Sequence, residues 1–197
     1  PLPPRLAHMV AVAADQDDAL SGAKIAAVLS EPGLGGTAVD LHDRLKGLER
    51  DRSPRARDAM KLAERWARAA GSGAGGEADA GLLLAEAFPE RIARARGKPG
   101  EVLLASGRGA FLDPSEHMAR EPWLAVAELG GGDARDRIRL AAALDATTLE
   151  ADLAHRIEVE DRLAREPSGK PVIRRIRRIG ALVLDEKVVG APDRATM

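Results

Sequence analysis

The sequence LLLAEAFPERIARARG (residues 82–97), followed by LLASGRGAFLDP (103–114), EPWLAVAEL (121–129) and RIRLAAALD (137–145), decides the fold. Leu84 and Phe88 lie one helical turn apart, and Pro89 then removes a backbone amide, so the helix must kink or restart there. Beyond Arg96 the pattern changes to short apolar runs broken by Gly, Pro and Asp, which is typical of strands. We therefore place a change from helix to strand near Lys98.

Seven short segments after this point have strand character, because Val, Ile and Leu recur in them and turn residues separate them. They cover residues 101–105, 110–112, 123–129, 137–142, 156–163, 172–179 and 182–184. Thr147 and Glu150 form a capping signal, so we expect one or two helical turns over residues 147–154. Strands of this spacing predict a small barrel, and the inserted helix favours an oligonucleotide-binding (OB) type, although composition alone fits other small barrels.

The first half of the chain has the periodicity of amphipathic helices. We expect helices over residues 5–14 and 18–30, the second ending before Pro32. A third helix is predicted to start with Thr37 as its N-cap and Asp40 three residues later. Its apolar stripe would consist of Leu41, Leu45 and Leu48.

A fourth helix is predicted from Ser53, which supplies a capping oxygen, and Pro54, which needs no amide partner at the first helical position. Its buried side would carry Ala56, Ala59, Ala63 and Trp66. The run GSGAGG (71–76) has no side chains to bury and predicts a flexible loop. The fold class is therefore α+β, with an N-terminal helical bundle over residues 1–97 and a small OB-like β-barrel over residues 98–197.

The composition limits the classes of function that this chain can have. Apolar residues make up 45% of its 197 residues, but only two Trp and two Phe are present, so Ala, Leu, Val and Ile must build the core. Thirty basic residues against 31 acidic ones give a net charge of −1, so any nucleic-acid contact must come from local patches. The absence of cysteine fits a reducing cytoplasm, and no apolar run is long enough to span a membrane.

No catalytic or metal-binding motif is present in the sequence. The two Gly-Lys steps, at Gly97 and Gly169, are followed by proline rather than Ser or Thr, so neither is a phosphate-binding loop. The four histidines lie far apart without metal-ligand spacing, and Ser106 lacks a nucleophile-elbow motif. We predict that the chain itself has no catalytic residue, no metal site and no cofactor, and that it does not hydrolyse ATP.

Two basic features are candidate phosphate contacts. Arg108 lies in a Gly-Arg-Gly turn between two predicted strands, where it would be free to meet a phosphate, or would be a solvated turn residue. Near the C-terminus, five cations alternate with Val and Ile: Lys170, Arg174, Arg175, Arg177 and Arg178. This pattern predicts a strand with one apolar face and one basic face, or else a charged edge strand that avoids aggregation or a surface paired with acidic residues elsewhere. Trp123 could stack on a base, but a core position is favoured.

The order of these phrases resembles that of HrpB-type bacterial DEAH-box helicases, in the region downstream of the motor. There, an Ala/Leu-rich helix ending in a Phe-Pro-Glu-Arg-Ile turn (88–92 here) precedes a small barrel. PLPPRLAHMV (1–10) is similar to the start of that family's helicase-associated helices, and IRRIRRIGALVLDEK (173–187) is similar to its late barrel strands. Because the chain opens at Pro1 without the motor motifs, we expect it to be part of a longer enzyme.

The resemblance implies a function for the chain. It would be an accessory, nucleic-acid-handling part of an ATP-dependent RNA helicase, lining a single-stranded RNA channel beside two RecA-like motor domains of the same protein. The motor would hold ATP and magnesium, and the protein would be cytoplasmic, with no membrane partner. The RNA-binding residues would be Arg108 and the five cations of the late strand. The alternative is a platform that docks regulators or other helicase domains without binding RNA directly.

Overall fold

The computed structural model describes residues 2–71, 76, 78–131 and 136–191. Five helices come first: α1 (Pro4–Asp15), α2 (Ala19–Ser30), α3 (Leu41–Arg50), α4 (Pro54–Ala70) and α5 (Ala80–Ala87). A 3-10 turn, Pro89–Arg91, then leads into the strands. This order confirms an α+β chain with an N-terminal helical region. Most of the predicted glycine-rich loop, residues 72–75, lies outside the described residues.

Side-chain caps set the starts of the helices. The Asp18 carboxylate accepts from the Ser21 amide at 3.2 Å, and Ser53 Oγ accepts from the Ala56 amide at 3.1 Å. The start of α4 at Pro54 is therefore confirmed. Thr37, in contrast, was the wrong cap for α3: Asp40 takes that role, accepting from the His42 amide at 2.8 Å. A β-bridge between Asp40 and Ala141 holds the preceding segment extended, which fixes the helix start three residues later than predicted.

Helix α5 lies at the centre of the molecule. Leu82, Leu83 and Leu84 are all buried, and α5 packs on α1 as well as on two strands of the barrel, Trp123–Gly130 and Asp136–Ala143. A helix with apolar residues on nearly every side is stable only when other elements surround it. Burying each leucine contributes about 1.5–3 kcal/mol, so α5 joins the helical region to the barrel in one core.

The barrel consists of β1 (Ile92–Ala95), β2 (Glu101–Leu104), β3 (Gly109–Phe111), β4 (Trp123–Gly130) and β5 (Asp136–Ala143). It is closed in the order β1-β2-β3-β5-β4, and β3 and β5 run parallel. Its interior is filled by small and medium side chains, among them Val102, Leu104, Val126 and Ile138. The predicted barrel is thus confirmed, with strand bounds within two residues for β2 to β5.

Two strand predictions were wrong. β1 begins at Ile92, within the stretch predicted to be helical, because its short sequence IARA pairs on one side with β2 and on the other with β4. The last three strands are not part of the barrel: β6 (Glu158–Arg165), β7 (Pro171–Ile179) and β8 (Leu182–Gly190) form a separate antiparallel sheet. Most of that sheet is exposed, and only its Ile179 and Leu182 end is buried in the main core.

The helix α6 (Ala146–Asp152) connects the barrel to this second sheet. The sequence predicted Thr147 as its cap, which was wrong. Asp145 caps it instead, accepting from the amides of Thr147 at 2.8 Å and Thr148 at 3.1 Å. These bonds lower the pKa of Asp145. Across the described part of the chain, no helix is both long and apolar enough to cross a bilayer.

Candidate nucleic-acid interface

The basic strand predicted from the sequence is β7, with Lys170 in the turn before it. Its regular pairing with β6 places Arg175 opposite Asp161, and Arg174 opposite Arg162. Because successive strand residues point to opposite faces, Arg175 and Arg177 share one face, whereas Arg174 and Arg178 share the other. The expected division into one apolar and one basic face was therefore wrong, since each Arg-Arg pair necessarily divides its charges between both faces.

Carboxylates from the same sheet and from α6 contact the arginines on the face that carries Arg175. Arg175 makes a bidentate pair with Asp161, both bonds being 2.8 Å long. Arg177 Nη1 lies 2.7 Å from Asp185 Oδ2, and its Nη2 lies 2.5 Å from Glu150 Oε2 on α6. The bond to Arg175 is the main reason why the pKa of Asp161 lies below its usual range, and Asp161 raises the pKa of Arg175 in turn.

The opposite face is paired in the same way. Arg174 Nη1 lies 3.0 Å from Glu186 Oε1, and Arg178 Nη2 lies 3.0 Å from Glu158 Oε2. Partly exposed pairs of this kind contribute about 0–1 kcal/mol each, so a phosphate oxygen could replace a carboxylate at small cost. Lys170 is exposed and makes no ion pair with the described residues. The strand therefore offers cations that are already partly neutralised.

Arg108 is also paired rather than free. Its Nη2 lies 2.7 Å from Asp136 Oδ2, at the start of β5, although the angle between the two groups is poor for a hydrogen bond. The Asp136 side chain is buried while Arg108 stays 69% exposed. Gly107, with φ of +88°, forms the turn that brings Arg108 to this position.

The β7–β8 turn packs directly against the turn that carries Arg108. The Ala181 amide donates to the Ala105 carbonyl at 2.8 Å, and a side chain on Gly107 would come within 3.7 Å of the Ala181 Cβ. Arg108 therefore lies near the Ile179 end of β7. Lys170 lies at the other end of a nine-residue strand, about 30 Å away at the usual rise of a strand. The structure brings Arg108 close to one end of the basic strand, not to all of its cations.

Other candidate residues have structural roles. Trp123 is 9% exposed and has the Arg94 guanidinium 5.3 Å from its ring centre, so it is a core residue as favoured above and is not open to a base. His117 pairs with Asp40 at 2.9 Å, and His155 pairs with Glu86 at 3.1 Å. Both histidines join the helical region to later elements. No metal-ligating cluster of three or more side chains occurs among the described residues.

Sequence reasoning missed the role of the Phe88-Pro89-Glu90-Arg91 turn. Phe88 lies between two guanidinium groups, with Arg91 4.9 Å and Arg5 5.7 Å from its ring centre. Arg5 also pairs with Glu90 at 2.5 Å, and Arg91 donates to the Ala127 carbonyl at 2.6 Å. The turn thus connects α1, α5 and β4. The signal in the sequence was the aromatic residue followed by alternating charge, but Arg5 is too distant in the chain to be assigned as its partner.

A second feature that the sequence did not reveal is a cavity of about 400 Å³ between the α2–α3 loop and the barrel. Three arginines line it, namely Arg44, Arg137 and Arg139, together with one acid, Glu128. These residues are up to 95 positions apart, as for the bond from Arg44 to the Arg139 carbonyl. Only the folded chain brings them together.

Comparison with known proteins identifies proteins that are similar to this chain in sequence and in structure. No family model matches the chain. It is 38% identical over 144 residues to the ATP-dependent RNA helicase HrpB of Escherichia coli strain K12, an alignment that covers 72% of this chain and 17% of that protein. Two crystal structures of E. coli HrpB, described as a DExH-box NTPase and as a DEAH/RHA helicase, match 98% of this chain with TM-scores of 0.79 and 0.77 and identities of 32% and 28%.

A helical region joined to a closed barrel and a further sheet is therefore the architecture of the C-terminal domains of a DExH-box helicase. Within that class, the chain belongs to the HrpB-type family, as the order of its sequence phrases predicted. The chain spans 24% of the length of each of these HrpB structures.

Proposed function

We propose that this chain is the accessory nucleic-acid-handling part of an HrpB-type ATP-dependent RNA helicase, where it forms part of a channel for single-stranded RNA. The observation that carries this proposal is the match of 98% of the chain to HrpB at a TM-score of 0.79. In this proposal the RecA-like motor domains of the same protein bind ATP and magnesium and hydrolyse the nucleotide. The chain described here supplies surface rather than chemistry, and the protein acts in the cytoplasm.

The rigid junction between helices and barrel supports a role as one side of a channel. Arg44 donates to the Ala38 carbonyl at 2.7 Å and to the Arg139 carbonyl at 3.1 Å, and the Ala141 amide donates to the Val39 carbonyl at 2.9 Å. Together with α5, these bonds fix the two parts relative to each other. A surface that guides a moving strand has to keep its shape while the motor domains change theirs.

RNA contact would come from Arg108 and from the cations of β7, with Lys170 at its far end. All of the arginines are paired with carboxylates, so RNA phosphates would have to exchange partners with them rather than meet free charges. We expect roughly micromolar or weaker affinity for single-stranded RNA, because contact dominated by phosphates without the motor is weak and depends on salt.

One observation favours the alternative, a platform that docks regulators or other helicase domains. The second sheet exposes large apolar side chains: Val159 is 59% exposed, Leu163 60% and Val188 52%. Together with arginines that are neutralised internally, this surface is closer in character to a protein interface than to a phosphate track.

Fluorescence anisotropy of the full chain with a labelled oligouridylate, measured across a salt series, tests the proposal. Replacing Arg174, Arg175, Arg177 and Arg178 by Ala should weaken binding. Each phosphate contact with single-stranded RNA that the replacement removes should reduce the slope of log affinity against log salt concentration by about 0.7. Arg108→Ala should cost about one contact.

The matched control removes four cations from the exposed side of α4, by replacing Arg57, Lys61, Arg65 and Arg68 with Ala. It changes the net charge by the same amount at another place. An RNA channel along β7 requires a loss in the first variant that the control lacks. If both variants bind as the parent does, with the fold intact by circular dichroism, the arginines of β7 serve only the ion pairs within the chain, and the docking platform becomes the better proposal.

A further inference from the structure

The cavity beside α3 has the features of a preformed ligand site. Its volume of about 400 Å³ lies in the range of small-molecule sites, and the loop before α3, strand β4 and strand β5 line it. The loop is held rigidly: Leu34 is 2% exposed, and Arg55 bonds both Glu31 and the Pro32 carbonyl, at 2.6 and 2.7 Å. A ligand would therefore enter a site that is already formed.

The inner surface of the cavity carries a buried guanidinium. Arg44 is 6% exposed, yet its nearest carboxylate among the described residues is Glu128, with Nη1 and Oε2 3.9 Å apart. Its hydrogen bonds go to two backbone carbonyls, which carry no net charge. A buried charge is costly unless an opposite charge and hydrogen bonds compensate it. Arg44 is thus only partly compensated, and its Nη1 is left without a close acceptor.

Two further cations lie beside Arg44. Arg137 and Arg139 alternate with the buried Ile138 on β5, so both point out of the barrel on the side of the cavity. Neither makes an ion pair with another described residue, in contrast to the arginines of β7. The Arg139 guanidinium lies directly over Gly130, where a side chain would come within 1.9 Å of its Nε. A residue larger than glycine at this position would displace the group from the cavity.

The charges in the cavity do not balance. Among the described residues that line the cavity, three guanidinium groups face a single carboxylate, an excess of two positive charges in a chain whose overall charge is −1. Guanidinium groups bind oxyanions with paired hydrogen bonds, and the cavity also carries the hydroxyl of Thr37. A phosphate carries one to two negative charges, and 400 Å³ leaves room for a group attached to it.

We infer that this cavity is a binding site for a phosphoryl group, held by Arg44, Arg137 and Arg139. The group would be either a phosphate of RNA or a free phosphate compound. An RNA phosphate as the ligand rests on the proposed function. Phosphate binding by the cavity does not, because the cavity is separate from β7. Arg44 forms the fixed inner surface, and Arg137 and Arg139 close over the ligand from β5.

The test is a titration of the isotope-labelled full chain with sodium phosphate, followed by NMR at constant ionic strength balanced with chloride. Saturable shifts should appear at the amides of Gly33, Gly36 and Thr37 and at the side chain of Arg44. The double variant Arg137→Gln with Arg139→Gln should weaken binding by about a hundredfold, since each lost charge-assisted bond is worth roughly tenfold. Glu128→Gln should strengthen binding, because it removes the one acid among the described residues that line the cavity.

The matched control is Arg162→Gln with Arg165→Gln on β6, which removes two exposed cations far from the cavity. It should bind phosphate as the parent does. The inference is overturned if the shifts never saturate, if the Arg137 and Arg139 variant binds phosphate normally, or if the control loses as much affinity. Circular dichroism checks the fold, and the opposite effect of Glu128→Gln cannot arise from unfolding.

Competition then identifies the source of the group. Displacement of bound phosphate by both 5′-hydroxyl and 5′-phosphorylated oligouridylates assigns a diester, and displacement by the phosphorylated one alone assigns a chain end. If neither displaces phosphate although it binds, the site is supported for a free phosphate compound and its RNA source is rejected. In that case, anisotropy with the β7 variants still decides the proposed function separately.

Discussion

Replacing Gly180 by Ala tests how the second sheet is held against the barrel. Gly180 has φ of +53°, and a Cβ at this position would lie 2.3 Å from the carbonyl oxygen of Ala105. Two costs therefore add: the left-handed conformation of a residue with a side chain, and a clash with backbone that cannot rotate away. Both arise at the turn that positions the end of β7 beside Arg108.

The structure contains a control that separates the two costs. Gly169, in the β6–β7 turn, also has a positive φ of +84°, but a side chain there would meet nothing within 4 Å. Gly169→Ala should therefore cost only the conformational term, about 1–2 kcal/mol. Gly180→Ala should cost about 1–3 kcal/mol more, the usual range for overpacking.

Urea unfolding of both variants, followed by circular dichroism, gives the difference between them. Hydrogen exchange shows where it acts, since Gly180→Ala should raise exchange at the Ala181 amide, which bonds to Ala105 at 2.8 Å. If the sheet detaches locally before the barrel unfolds, the free energy of opening from exchange at Ala181 should fall by more than the free energy of global unfolding in urea. Equal losses in the two variants, with unchanged exchange at Ala181, would refute the contact between the turn and the barrel.

Three further outcomes are expected. Asp40→Ala should lower stability by about 1–2 kcal/mol in urea, because it removes the cap of α3 and the partner of His117, whereas Thr37→Ala should change it little; the reverse order would restore Thr37 as the cap. The second sheet should lose stability in acid. The pKa of Asp161 is lowered mainly by its bond to Arg175, and that of Glu160 mainly by its bond to Arg162. These two carboxylates therefore stabilise the folded sheet above their unfolded pKa values, about 4, and this stabilisation is lost as the pH falls through their lower folded values. Hydrogen exchange between pH 5 and 2 measures this loss, and an Asp161→Asn variant with the same loss would contradict it. Finally, the chain alone should show no ATP turnover above a buffer blank, with or without RNA; turnover that a substitution in this chain abolishes would overturn that expectation.

Local sequence signals were sufficient where one segment determines its own structure. Ser53 caps its helix as predicted, and the strands β2 to β5 lie within two residues of their predicted bounds. Failures came where a distant partner decides the outcome. The sequence IARA is a strand only because β2 and β4 pair with it from both sides, and β6 to β8 leave the barrel because their polar residues occupy both faces.

The candidate site was predicted less well than the fold, for the same physical reason. A dense run of arginines can be recognised in sequence, but its six acidic partners, from Glu150 to Glu186, cannot be assigned without the register of the sheet and the position of α6. The cavity shows the reverse case. Arg44, Arg137 and Arg139 are unremarkable singly, and only their convergence around one carboxylate gives them a common chemistry.

The position of β1 has a consequence for how this chain can be divided. β1 joins β2 to β4, so a truncated chain that starts at Lys98 would lose the strand that closes the barrel. Two unpaired strand edges would then be exposed, one on β2 and one on β4, and such edges pair readily with other chains. A C-terminal piece cut at this point should dimerise or aggregate through those edges, whereas a piece cut before Pro89 keeps the closing strand. The chain can therefore be divided without opening the barrel only on the N-terminal side of the turn formed by Pro89–Arg91.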